Sequence, residues 1–208
     1  MENKRRKGYF HGIFILFGCV FALASCATGP VIVSPSYKIE VPKGPIEKIP
    51  LRAGLYLSPS FQRRVFVGNL VGAPHGIAIG GAMTTGAVRT MKTVFRETAV
   101  IENDNTATTW KEADVIVSPE ILETNYRGFA FSHAETFVMC KWTIAGRDGR
   151  TYYVNTITGK GYLDKWPGGP YGRDKMNEAM VLAIQDHYQK LAVDLLKNKW
   201  WESIGPAR

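Results

Sequence analysis

The residue in this chain whose setting is most specific for chemistry is Cys26. It closes the tetrapeptide Leu23-Ala24-Ser25-Cys26, which ends an apolar run from Gly8 to Ala24 preceded by Lys4, Arg5, Arg6 and Lys7. A basic cluster holds the cytoplasmic side of a membrane, an apolar run enters it, and small residues before the cysteine let a peptidase approach the backbone. The competing reading is an uncleaved anchor, since Gly8 to Ser25 is 18 residues and a hydrocarbon core of about 30 Å needs little more. Gly8, His11, Gly12 and Gly18 dilute the run, however, and its small residues lie at the far end, where cleavage requires them. Under either reading the remainder of the chain is exported.

The order of basic cluster, apolar run, small residues and cysteine resembles a bacterial lipoprotein signal with its lipobox. The resemblance implies that residues 1–25 are removed and that Cys26 is lipidated, palmitate being a typical chain, and becomes the new N-terminus. If the sorting logic of enteric bacteria applies, Ala27 in place of an aspartate implies delivery to the outer membrane, facing the periplasm. Cys19 leaves with the signal peptide, so Cys140 is the lone remaining thiol and no intrachain disulfide is expected. Cys140 alternates with Val138, Trp142 and Ile144, which predicts a buried core cysteine on one strand face.

No other constellation points to catalysis. His133 and His187 stand singly, without the His-x-His, Glu-x-x-His or Cys-x-x-Cys spacing of a metal site. Glu120 and Glu123 point apart in a regular strand, which weakens a paired-carboxylate reading. The expectation is therefore no enzyme, no cofactor and no metal, with a lipid-tethered hydrolase as one alternative and an oligomerising structural module as another. Better candidates for function are aromatic surfaces. Tyr126, Phe129 and Phe131 lie beside Arg127 in one connection, and Trp166 and Tyr171 beside Lys165 in a second. Aromatics with neighbouring cations suit contact with an envelope protein or a glycolipid; the competing reading folds these rings back over the sheet ends.

Loss of residues 1–25 leaves 183 residues and lowers the net charge from +8 to +5. That is one ordinary domain with a mild basic excess, which speaks against nucleic acid and suits anionic headgroups or glycolipid. Residues 26–50 carry prolines at 30, 35, 42, 45 and 50 and read as an extended tether after the lipidated cysteine. Residues 51–201 form the expected domain, and 202–208 a C-terminal tail.

The elements that would position these groups follow from periodicity. Residues 52–57 and 64–67 read as strands, and the glycines of 68–81 as a flexible loop entering a helix that carries Met83, Ala87, Met91 and Phe95 at four-residue spacing. No Gly-Lys-Ser/Thr accompanies those glycines, so a phosphate cradle is not favoured. Residues 99–101 form a short strand. Residues 114–124, 135–144 and 150–158 form an antiparallel meander, with Gly146-Arg147-Asp148-Gly149 as its hairpin turn and Ser118-Pro119 marking a bulge or an edge. A final helix, capped by Asp174, places Met176, Met180, Ile184, Tyr188, Leu191 and Leu195 on one face, with Ala179, Ala183 and Ala192 permitting close approach.

Two helices with one apolar face each are satisfied together on one side of a sheet. The expectation is an α+β fold: a two-layer sandwich of an antiparallel sheet with two helices on one face. The order carried by residues 52–57, 76–97, 99–101 and 113–117 resembles the sheet-and-two-helix domain of the lipopolysaccharide-assembly and curli-secretion lipoproteins. That resemblance implies a non-enzymatic accessory for assembly or transport in the envelope.

Overall fold

The computed structural model describes residues 31–32, 47–70, 73–101, 112–128, 133–164 and 172–204. In chain order these form β1 (Val31–Ile32), β2 (Ile49–Tyr56), α1 (Pro59–Gln62), β3 (Val65–Leu70), β4 (Ala73–Ala78), α2 (Gly80–Val94), β5 (Phe95–Ile101), β6 (Val115–Gly128), β7 (Ala134–Gly146), β8 (Thr151–Leu163), α3 (Gly172–Lys197) and a 3₁₀ turn, Trp200–Ser203. The expected signal peptide, Cys26, Phe129, Phe131, Trp166 and Tyr171 lie outside the described residues. Arg127, one residue before the end of β6, pairs with Glu135 of β7.

The fold is α+β, as the residue order suggests, but the sheet is not antiparallel. Its five strands run in the order β5-β2-β6-β7-β8, and β2 is parallel to both neighbours, β5 and β6. The reason is connectivity. The chain leaves β2, returns through α2 and re-enters beside β2 as β5, a crossover that makes the second strand parallel. Only β6, β7 and β8 form the antiparallel meander, closed at one end by a turn in which Gly149 adopts φ +76°, a conformation that costs a glycine little.

The glycine-rich stretch after Val67 is a hairpin where a loop was expected. Residues of β3 and β4 pair antiparallel from Val65↔Ala78 to Leu70↔Ala73, and β1 adds to β4 in parallel, giving a separate three-stranded sheet. The stretch expected as a free tether thus contains a strand-paired dipeptide, Val31–Ile32. Ser58 caps α1 through its hydroxyl, and the Arg64 carbonyl accepts the N–H groups of Ile79 and Gly80, each at 3.0 Å, at the start of α2.

Pro119 pairs with Trp142 inside β6, and the register shift falls between Ile121 and Glu123 rather than at the proline. The strand tolerates Pro119 because β2 covers only Val115–Val117. Beyond Val117 that side of β6 is an edge needing no donor.

One core joins the helices and sheet. α2 packs on β2 and β5, α3 on β7 and β8, and the helices touch each other. Met176, Met180, Ile184, Tyr188, Leu191 and Leu195 are all buried, as are Val138, Cys140, Trp142 and Ile144. The closest contact is the seam between α3 and β8. A Cβ on Gly159 would overlap the Ala183 carbonyl and His187, and one on Gly161 the Ala179 carbonyl. The buried Thr136 hydroxyl donates to that same Ala179 oxygen at 2.8 Å. Helix α3 begins at Gly172, so Asp174 lies within it and does not cap it.

Helix α3 also covers the outer edge of β8. Asp186 accepts the Lys160 N–H at 2.7 Å, and Lys190, paired with Asp186 at 2.6 Å, donates to the Thr158 carbonyl at 3.2 Å. Two of the edge groups that could template another strand, the Lys160 N–H and the Thr158 carbonyl, are thereby occupied.

Candidate functional site

A cleft of about 950 Å³ lies at one end of the five-stranded sheet. Three elements distant in sequence meet there: the first half of β2 with Arg52, the entry to β6 with Asp114, and the β7–β8 turn with Arg147 and Asp148. They meet because parallel pairing sets β2 and β6 in step, and the meander brings its turn back to the same end.

Asp114 organises the cleft. Its carboxylate accepts the Arg52 main-chain N–H at 2.8 Å, while the Asp114 N–H returns a bond to the Arg52 carbonyl at 2.8 Å. The same carboxylate faces two guanidiniums, Arg52 Nη2 at 3.4 Å and Arg147 Nη2 at 3.5 Å. Arg147 Nε also donates to the Ala113 carbonyl. Burial alone would raise the Asp114 carboxyl, but the Arg52 hydrogen bonds and the two positive charges outweigh it and hold the pKa below the usual value. The group is therefore a fixed anion near neutral pH, suited to clamping two arginines and unsuited to passing a proton.

The other acids of the cleft are also engaged. Asp148 accepts the Arg150 N–H at 3.0 Å and the Tyr152 hydroxyl at 3.1 Å, Glu97 lies 3.9 Å from Arg96, and Glu202 pairs with Lys199 at 3.3 Å. Leu51, Tyr152 and Trp201 supply an apolar wall. Such a cleft can offer directed guanidinium donors beside aromatic surface.

The residues expected to form a contact surface are placed only in part. Tyr126 is half-buried, packs against the main core, and has its hydroxyl pushed up to about 12 by that burial. The side chains of Arg127, Phe129, Phe131, Trp166 and Tyr171 lie outside the described residues, so no grouping of them is seen. Trp200 is buried against Phe95 and Tyr153, whereas its neighbour Trp201 lines the cleft.

His133, His187 and Cys140 do not line this cleft. His187 is wholly buried, and its Nε2 accepts the Trp142 indole N–H at 3.0 Å. Burial lowers its pKa to about 4; the Ile157 main chain acts in the opposite sense, although Nδ1 has no hydrogen bond of ordinary geometry. Cys140 is sealed as well, and burial pushes its thiol far up. His133 is half-buried, its ring 5.5 Å from that of Tyr162. Among the described residues no group of three or more His, Cys, Asp or Glu is placed to hold a metal ion.

Sequence reasoning missed the Arg52–Asp114–Arg147 cluster. The available signal was weak: an arginine opening one strand run, an aspartate opening another, and an arginine in the hairpin turn, with nothing local to say that the three ends coincide.

Fold and site together define an α+β domain with a mixed sheet and a charged cleft at one sheet end. No family model matches the chain, and no curated protein matches its sequence. Among solved structures, protein XCC0632 from Xanthomonas campestris, of family model DUF330, is similar with a TM-score of 0.59 at 12% identity, over 83% of this chain and 98% of that one. A minor lipoprotein from Acinetobacter baumannii gives 0.46 at 12% identity, over 74% and 96%. A PelC dodecamer from Paraburkholderia phytofirmans gives 0.41 at 11% identity, over 74% and 94%. Only the first of these three values exceeds 0.5; at its identity it shows a shared fold.

Proposed function

We propose that the chain is a lipid-anchored protein of the bacterial envelope, held through Cys26, whose domain binds a partner as a non-enzymatic accessory in assembly or transport. The observation that carries this reading is the ordered N-terminal series from Lys4 to Cys26. The cleft supports it from the other side, because its charged groups are paired with one another in a way that favours contact over proton transfer. Ala27 favours the outer membrane with the domain facing the periplasm. The domain is read as a two-layer arrangement, with both long helices against the same side of the sheet. Tyr126, Arg127, Phe129, Phe131, Trp166 and Tyr171 are proposed as a partner surface, and the partner as an envelope protein or a glycolipid.

Crosslinking and pull-down from membranes, with Cys26 intact and with Cys26→Ser, tests the reading. A partner retained by Cys26→Ser locates binding in the domain. Recovery of no partner from either chain would sink it.

A further inference from the structure

We propose that the outer face of the β1-β4-β3 sheet rests on the lipid surface, so that the domain lies against the bilayer instead of hanging from a long tether. This rests on the reading of Cys26 as the lipidated residue. Three independent observations point to it.

The first is reach. β1 begins at Val31 and is bonded in register to Ile77 and Ala78 of β4. Val31 follows Cys26 by only five positions, and a fully extended chain of that length spans at most about 18 Å. The prolines that suggested a long spacer mostly follow β1 and so connect parts of one domain.

The second is the face itself. On β3, Phe66 packs inward and is paired with the buried Ile77, whereas Val65 and Val67 point outward and are 42% and 65% exposed. Arg63 and Arg64, both exposed, immediately precede them. Apolar side chains flanked by cations are the composition that an anionic headgroup layer accepts.

The third is charge. No Asp or Glu occurs between Glu47 and Glu97, a stretch that contains all of β3 and β4, yet it carries seven Lys and Arg. With the mature chain at +5, this segment holds more than the whole net charge and the rest is slightly acidic. Two of the seven, Arg63 and Arg64, directly precede β3, and the others lie at or on β2, α2 and β5. No carboxylate in this stretch opposes the approach of the β3–β4 face to an anionic surface.

The test uses the full, processed chain in vesicles of phosphatidylethanolamine and phosphatidylglycerol with brominated acyl chains. A polarity-sensitive fluorophore is placed at Val67→Cys or, as control, at the exposed Val154→Cys of β8, and intact mass reports the state of Cys26. The expected result is lipid on Cys26, with quenching and a blue shift at position 67 that exceed those at 154 several-fold and shrink when Arg63 and Arg64 are both serine. Lipid on Cys26 with equal responses at the two positions overturns the seating alone. Absence of lipid from Cys26 overturns the anchor reading, and the seating with it. Shielding of position 67 that persists without vesicles marks a second copy on this face and also overturns the proposal.

Discussion

Trp142 and His187 are joined by a 3.0 Å hydrogen bond from the indole N–H to Nε2, with both rings fully buried between β7 and α3. The bond requires a neutral imidazole, and burial lowers the ring's pKa from the ordinary 6.5 to about 4. A depressed pKa means that the contribution is complete above the unfolded value and is lost as pH falls toward the folded one. Stability should therefore decline between about pH 6.5 and 4, by up to about 1.4 kcal/mol per pH unit from this group. Urea denaturation at several pH values measures it. His187→Gln, which keeps an acceptor but cannot titrate there, should show a flatter profile, and an unchanged slope would contradict the assignment.

Glycines 159 and 161 set the depth at which α3 meets the sheet, since a Cβ on either would overlap helix backbone. Gly161→Ala should cost about 1–3 kcal/mol as the helix is forced outward. Gly81, exposed and with open space where a Cβ would stand, should behave oppositely. Gly81→Ala should stabilise by up to about 1 kcal/mol, because alanine loses less freedom in a helix. Thermal or denaturant midpoints of the two variants should move in opposite directions.

Removing Asp114 leaves the Arg52 guanidinium and main-chain donor without this acceptor and takes from Arg147 its carboxylate partner, the Ala113 carbonyl remaining. Asp114→Ala should lower stability by about 1–3 kcal/mol, whereas Arg147→Ala, whose side chain is 44% exposed, should cost under about 1 kcal/mol. The ordering of these effects in chemical denaturation is the test. Equal costs would mean that the carboxylate does not organise the cleft.

Cys140 is buried with a raised thiol pKa, so it has almost no thiolate and little access to reagents. Maleimide labelling of the folded Cys26→Ser chain should be negligible without denaturant and should follow the global unfolding curve. Labelling at the rate of a free thiol would place this residue at a surface.

What the sequence made legible was what is local. The four-residue spacing from Met176 to Leu195 identified the buried face of α3, and the alternation around Cys140 identified the inward face of β7. Both are read within one element. The parallel position of β2 between β5 and β6 depends on which distant strand wins an edge, and no residue of Arg52 to Leu57 encodes that choice. The β3–β4 hairpin was masked by its own glycines, which lower strand propensity while permitting pairing. His187 could have been noticed, because it continues the four-residue series of Ala179 and Ala183 along the seam. The cleft could not, since its three charged members belong to three segments far apart in sequence.

Asp186 and Lys190 guard one stretch of β8. An incoming strand would have to displace both side chains before it could bond Thr158 and Lys160, so this part of the edge resists pairing between molecules.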